Sequence, residues 1–357
     1  MAWLAGWDKR IELKIEEYAG DIGAEVVWFP ATVFLTSSQC EEVFVELTTD
    51  AEYLKVAFTK ADGETELYGE CELFDVSEKL GIYHVSRDGW VINANTSIFL
   101  YYDSTHADND TYIGAITART EVWDGNFKLV YHMVDDNGNV DDSTSNNNDG
   151  AKTGAGEPAE IAGKIGQGQS FDGTDDLITP TLDPTTELGN LVTLEAVVYA
   201  DTLSNFRGVM ADYVSDAGMK GFQYEGGPMG FAYSHGTGLS ENNNLTISTT
   251  TWTHIAGVVK GEADGYIKVY KDGVEQGEQV DVTAAIVHRG TFFIGKSYPE
   301  INRFWDGIID ELRVSNTNRS GAWLLGTKNT LWDTLFTYGD EETEAVAVNA
   351  IFFGANF

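Results

Sequence analysis

Residues 305–315, Trp305-Asp306-Gly307-Ile308-Ile309-Asp310-Glu311-Leu312-Arg313-Val314-Ser315, set apolar Ile308, Leu312 and Val314 almost alternately against polar Asp310 and Arg313, behind an Asp-Gly turn. A period near two fits a strand with one buried face. The pattern recurs along the chain. Ile11, Leu13 and Ile15 alternate with Glu12 and Lys14, and further strand-like runs fall at 26–29, 31–35, 43–47, 54–58, 66–73, 81–86 and 97–102, with turn chemistry such as Asp62-Gly63 between them. Helical periodicity over ten or more residues is confined to the region of 320–327. Short strands at this spacing, with 38 glycines and many aromatics, predict an all-β chain built of sandwiches. A length of 357 residues allows two or more domains, each burying its own core.

Twenty-two lysines and arginines face 57 aspartates and glutamates, a formal charge of −35. That surplus argues against a nucleic-acid backbone or an anionic membrane surface as partner and favours cations. It also serves simply to keep a salt-exposed surface soluble. Cys40 and Cys71 are too few for a disulfide framework; they either pair or remain buried thiols. No run approaches the roughly 18 apolar residues of a membrane-spanning helix, so no membrane insertion is expected. The first ten residues lack the basic-then-apolar order of a secretory signal, which predicts folding in the cytoplasm that makes the chain.

Four segments lie upstream of the opening one: Ser170-Phe171-Asp172-Gly173-Thr174-Asp175-Asp176, Trp252-Thr253-His254-Ile255-Ala256-Gly257, Ile267-Lys268-Val269-Tyr270-Lys271-Asp272-Gly273 and Phe292-Phe293-Ile294-Gly295. In this order the five resemble the concanavalin A-like, laminin-G-like jelly roll, over about 127–338. The resemblance implies a two-sheet sandwich of a kind that hosts lectins, adhesion modules and glycoside hydrolases, so it does not by itself give a function. Trp7 with Arg10, Phe29-Pro30, Phe58 with Asp62-Gly63, Tyr101-Tyr102 and Val122-Trp123 are similar to a domain of unknown function that often precedes such jelly rolls in microbial surface proteins and phage proteins. Where that family continues Tyr-Tyr-Gly-Asn, this chain has Asp103-Ser104. The expected organisation is an N-terminal β-sandwich at 1–125, the jelly roll at 126–339, and a C-terminal tail at 340–357, apolar near its end, that adds a strand in assembly.

The laminarinase-type hydrolases of the resembled fold carry Glu-x-Asp-x-x-Glu on one strand, because retaining hydrolysis needs two carboxyls about 5 Å apart. That pattern is not found, and adjacent Asp310 and Glu311 on a regular strand point to opposite faces. The six histidines show no paired metal spacing and no Gly-x-Ser-x-Gly elbow occurs, so no catalytic residue is assigned. Asp135, Asn137, Asn139 and Asp141 begin like a calcium loop, but Val140 and Asn146 stand where an EF-hand needs glycine and glutamate, leaving a solvated turn.

The resemblance implies a structural Ca²⁺ near the start and end of the domain, for which Asp172 and Asp310 are the matching metal ligands, with Asp175 and Asp176 nearby. The alternative is that these aspartates only satisfy turn amides. For glycan binding, Tyr224, Tyr233 and His235 beside Asn242-Asn243-Asn244 offer stacking faces and hydrogen bonds; otherwise the alternate aromatics are core. Trp252 and Trp305 are assigned to core or turn packing. The expectation is a non-enzymatic virion structural or adhesion protein, a phage tail fibre, head fibre or decoration. It would display a lectin-like jelly roll for surface glycan attachment and assemble with other virion proteins or copies of itself. A secreted or cell-surface microbial adhesin and a purely structural capsid or tail component are the alternatives.

Overall fold

The computed structural model describes residues 2–344 except 16–21, 94, 115, 137, 154–156, 205, 213–218, 225, 236–237 and 298–302. Three large antiparallel sheets account for nearly all of its strands. In the first, the order is Thr337–Thr343, Lys9–Lys14, Ser97–Tyr102, Val56–Lys60, Glu66–Asp75, Leu80–Ser86, Ala31–Thr36. Its long strand Glu66–Asp75 pairs with Val56–Lys60 at its start and with Leu80–Ser86 beyond, where Glu72 bulges between the Cys71↔Tyr83 and Leu73↔Ile82 pairs. The strand Thr337–Thr343 pairs with Lys9–Lys14, so the last described strand closes the first sheet and the expected boundary at 339/340 falls inside it. Residues 345–357 of the expected tail lie outside the described residues.

The other two sheets face each other. One runs Asp135–Asp136, Asn139–Val140, Gly150–Thr153, Leu177–Pro180, Phe293–Ile294, Gly208–Ala211, Met219–Tyr224, Met229–His235, Gly238–Leu245. The other runs Ala159–Ala162, Gln167–Asp172, Asp306–Ser315, Leu191–Ala200, Thr253–Lys260, Gly265–Lys271, Val274–Glu275, with Phe127–Tyr131 also on Asp306–Ser315 and Val280–Val282 on Gly265–Lys271. Strand parity explains the core. On Leu191–Ala200, Val192, Leu194, Ala196 and Val198 enter the inter-sheet core with Ile255, Val259, Ile309, Leu312, Val314 and Trp305. Each valine, leucine or isoleucine among them contributes about 1.5–3 kcal/mol on burial.

The opposite face of the same strand, Thr193, Glu195 and Val197, is equally buried. It lies under the first domain and the helix Gly321–Leu331. Ala256, Val258, Val130 and Trp323 share a core with Phe29, Val33, Tyr83 and Val85 of the first sheet. Arg319 fixes this junction. Its guanidinium donates to both Asp124 oxygens at 2.6 and 2.8 Å and lies over Phe127 and Trp323 at 4.3 and 4.0 Å.

Two local expectations change. Residues 43–47 are not a strand: Ser37–Glu46 is helical, interrupted by non-helical angles at Cys40. Cys40, Val43, Phe44 and Leu47 are its buried positions and recur at three- and four-residue spacing, which is helical. The 135–150 loop is not plain solvated turn either. Asp142 is fully buried and accepts Val130 N, Thr144 N and Asn148 N at 2.9–3.0 Å, organising the loop from within. Cys40 and Cys71 are free thiols, both pushed up to about 12 by burial. Among the described residues no helix is long and apolar enough to cross a membrane.

Candidate functional site

The strand Gln167–Asp172 ends in Phe171-Asp172-Gly173, and Gly173 takes φ 73, a region open to glycine. The turn brings three carboxylates together. Asp172 Oδ1 accepts Thr174 N at 2.7 Å, Asp176 Oδ2 accepts Asp172 N at 2.8 Å, and oxygens of Asp172, Asp175 and Asp176 lie within 4.8 Å of one another. Asp176 is 4% exposed, and its Oδ1 has no hydrogen-bond partner. Burial pushes the Asp176 carboxyl up, and the neighbouring Asp172 and Asp175 charges add to this. An orphaned buried carboxylate oxygen beside two further carboxylates fits a hard divalent cation that takes six to eight oxygens.

Asp310 is elsewhere. Asp172 pairs with Asp306, and Asp310 stands four residues further along that strand. Its Oδ2 accepts Lys164 N and Ile165 N at 2.8 and 3.0 Å, and Oδ1 accepts Glu311 N at 2.7 Å. The expected Asp172–Asp310 ligand pair is therefore not formed: Asp310 closes the turn at 163–167, and Asp175 and Asp176 stand beside Asp172 instead.

Next to the Asp172 turn, Arg207 clamps loops from three parts of the chain. Its Nη1 donates to Phe304 O at 2.9 Å and to Gly173 O, and Nε donates to Ser204 Oγ at 2.8 Å. Phe206 beside it is 43% exposed, with the Arg303 guanidinium 4.5 Å from its ring centroid. Arg303 Nη1 and Ser297 Oγ both donate to Gln223 Oε1 at 2.8 Å, and Tyr224 N donates to Arg207 O at 2.8 Å. One end of the sandwich thus combines an exposed ring, a planar cation, a half-buried tyrosine and the acidic turn.

The three residues expected to bind ligand together are separated. Tyr233 is fully buried in the inter-sheet core and its hydroxyl donates to Ala284 O at 2.8 Å, so it has no ring face for a sugar. Tyr224 pairs with Met229 at one end of the Met229–His235 strand, and His235 ends the other, roughly 20 Å away at a strand's rise per residue. Asn242 is buried and donates to Ile267 O and Glu278 O, tying strands rather than facing solvent. Phe206, Arg303 and Gln223 escape notice in the sequence because they come from separate segments with no common spacing.

A second polar cluster lies buried between the domains, around Glu70, Glu72, His84, His132, Glu311 and Arg313. Asp310 and Glu311 do not simply alternate. Val197 faces Asp310 and Glu195 faces Arg313, so Ala196 opposes two residues, and the extra one, Glu311, takes φ 46. Glu311 Oε1 meets His132 Nδ1 at 2.5 Å, and Arg313 donates to its Oε2 at 2.7 Å. Burial pushes Glu72 up to about 8, aided by the Glu311 charge, and pushes His84 down to about 3, aided by His132. Burial opposes ionisation of Glu311 too, but His132 and Arg313 outweigh it and hold that carboxyl below its usual range.

The facing sheets, their shared core and the strand order make residues 127–315 a lectin-like jelly roll. Residues 171–324 match the family model of the concanavalin A-like lectin/glucanases superfamily. No curated protein matches the chain. Among solved structures, domain 4 of AbnA, a family 43 extracellular arabinanase from Geobacillus stearothermophilus in complex with arabinotriose, is 22% identical with TM-score 0.44, covering 56% of this chain and 97% of that one. The binding domain of Paraclostridial mosquitocidal protein 1 is 13% identical with TM-score 0.45, covering 57% of this chain and 52% of that one. The binding domain of botulinum neurotoxin serotype G is 10% identical with TM-score 0.45, covering 57% and 50%. The chain thus spans about half the length of the two toxin domains.

Proposed function

We propose that the protein is a non-enzymatic attachment protein whose jelly roll holds a surface glycan at the sandwich end formed by Phe206, Tyr224 and Arg303, with a Ca²⁺ ion at Asp172, Asp175 and Asp176 ordering the adjacent turn. The observation that carries this reading is the Phe206 ring, 43% exposed and held against the Arg303 guanidinium. A sugar presents a C–H face to an aromatic ring and hydroxyls to planar donors, and this end offers both. Calcium would be held by the three carboxylates, supplying positive charge where Asp176 Oδ1 is otherwise unpaired.

The non-enzymatic reading is supported by what Asp310 and Glu311 do: both are buried, one committed to backbone amides and the other to His132 and Arg313. We place the protein on a virion, as a fibre or decoration, joined to other virion proteins or to copies of itself. Support for this is the resemblance of its first domain to one that precedes such jelly rolls in phage and microbial surface proteins. A secreted or cell-surface adhesin is the alternative placement.

The test is calorimetric titration of glycans found on a glycan array. Phe206→Ala should weaken binding at least tenfold, about 1.4 kcal/mol. Unchanged affinity in that variant sinks the site, and an array without hits favours a purely structural shell or tail component. Reducing sugar released from a polysaccharide panel would overturn the non-enzymatic reading. Mass spectrometry of purified virions beside secreted and envelope fractions decides the placement.

A further inference from the structure

We propose that Glu72, His84, His132 and Glu311 form a structural site for a zinc-class divalent transition-metal ion that ties the N-terminal domain to the jelly roll. One ligand atom from each of the four lies within 4.8 Å of every other. A tetrahedral ion with bonds of about 2.0–2.1 Å needs donors about 3.3 Å apart. The pairs His132 Nδ1–Glu311 Oε1, His84 Nε2–Glu72 Oε2 and His132 Nδ1–Glu72 Oε2, at 2.5, 2.8 and 3.7 Å, surround that value.

Three further observations point to an ion rather than to an internal ion-pair network. The first is the orientation of the rings. His84 Nδ1 meets Thr32 Oγ1 at 3.1 Å and His132 Nε2 meets Glu70 Oε2 at 3.4 Å, which leaves His84 Nε2 and His132 Nδ1 directed at the centre. Outer partners of this kind fix the tautomer of a metal-bound histidine. Glu70 is itself held by Trp123 Nε1 at 2.7 Å and Ser143 Oγ at 2.6 Å, while Arg313 holds the outer oxygen of Glu311 at 2.7 Å.

The second is an unpaired atom. The Glu72 side chain is 1% exposed and its Oε1 has no hydrogen-bond partner, a costly arrangement for a carboxylate unless a cation takes up the charge. The third is the backbone. Both carboxylates stand on β-bulges, Glu72 between Cys71 and Leu73 and Glu311 between Asp310 and Leu312, in two different sheets. Bulges re-aim a side chain out of strand parity, and here two of them aim at one point. The left-handed φ of Glu311 adds strain for a residue with a Cβ.

Two imidazoles and two carboxylates suit zinc and its neighbours better than Ca²⁺ or Mg²⁺, which prefer oxygen alone. Four protein ligands make a closed site, the structural type. A recess of about 180 Å³ lined by Glu70, Glu72, Arg119, His132 and Ser143 adjoins it and gives the ion an entry path. Glu72 and His84 belong to the first sheet, His132 and Glu311 to the jelly roll, so the ion would cross-link the domains.

The experiment uses the full chain, stripped with a chelator, dialysed, and titrated with Zn²⁺ and with Co²⁺. One Zn²⁺ per chain, displacement of Co²⁺ with loss of its tetrahedral ligand-field absorption, and a thermal midpoint several degrees higher with Zn²⁺ than without are expected. His84→Gln and Glu311→Gln should abolish uptake, and Asp88→Asn, at an exposed turn away from both carboxylate clusters, should leave it unchanged. A folded wild-type chain that takes up neither Zn²⁺ nor Co²⁺ overturns the proposal, whether or not the variants fold. Uptake that survives in a folded Glu311→Gln variant overturns it as well.

Discussion

Asp176 carries two facts in one side chain: Oδ2 holds the turn amide of Asp172, and Oδ1 is buried without a partner. Asp176→Asn keeps the first contact and removes one of the three carboxylate charges available to a cation. Calcium at about a hundred times its dissociation constant should stabilise the wild-type chain by about 2.7 kcal/mol, and Asp176→Asn by much less. Thermal melts with and without Ca²⁺ read the difference, and equal shifts in both proteins would remove calcium from this turn. Tyr233 makes the contrary case. Because its ring fills the inter-sheet core, Tyr233→Ala should cost about 3–5 kcal/mol of stability, seen as a lower urea midpoint, before it changes any ligand affinity. The sequence put Asp175 and Asp176 near Asp172, since adjacency within five residues needs no tertiary information, but it paired Asp172 with Asp310, which the strand register keeps apart. It could not rank Tyr224 against Tyr233, because even spacing says only that two rings share a face, not whether that face is covered.

Among elements, strands were legible and their interruptions were not. Ile11, Leu13 and Ile15 sit in the first-domain core as their alternation requires, while Glu311 and Glu72 lie at bulges that no local pattern announces. The helix Ser37–Glu46 hid behind its β-branched Val43 and Val45, although its buried positions keep a helical period. The segment joining the domains offers a pH test. Burial pushes the Asp124 carboxyl up, but the two bonds from Arg319 outweigh this and hold it below the usual carboxylate range. A depressed folded value contributes stability above the unfolded value, near 3.9, and loses it as pH falls through the folded one. At neutral pH, Asp124→Asn should cost about 3–5 kcal/mol by leaving the Arg319 guanidinium buried without its counter-charge. The gap between wild type and variant should then narrow as pH drops below about 4. Chemical denaturation at pH 7, 4 and 3 measures it, and a gap constant with pH would mean that the pair does not set the junction's stability.

At the scale of the molecule, the chain returns to where it began. Thr337–Thr343 lies along Lys9–Lys14, Glu342 meets the buried guanidinium of Arg10 at 2.6 Å, and Tyr102 donates to Glu341. Arg10 is packed between Trp3 and Phe99 at 4.2 and 4.1 Å, so loss of Glu342 would strip the carboxylate from a charge that water scarcely reaches. This closure changes how an assembly role for the C-terminal end has to be tested. A truncation beginning at residue 341 removes Glu341 and Glu342 and breaks an intramolecular sheet, so any loss of oligomers would report damage to the fold. Cutting after Glu344 spares every described pairing. Deletion of 345–357 should leave the thermal midpoint within a degree or two of the full chain, whereas deletion of 337–357 should lower it by several degrees and expose Lys9–Lys14 as an open sheet edge that invites aggregation. Light scattering on the shorter deletion then isolates assembly: a shift from oligomer to monomer with an unchanged midpoint assigns the subunit contact to 345–357. An unchanged mass sends the search for that contact back to the jelly roll.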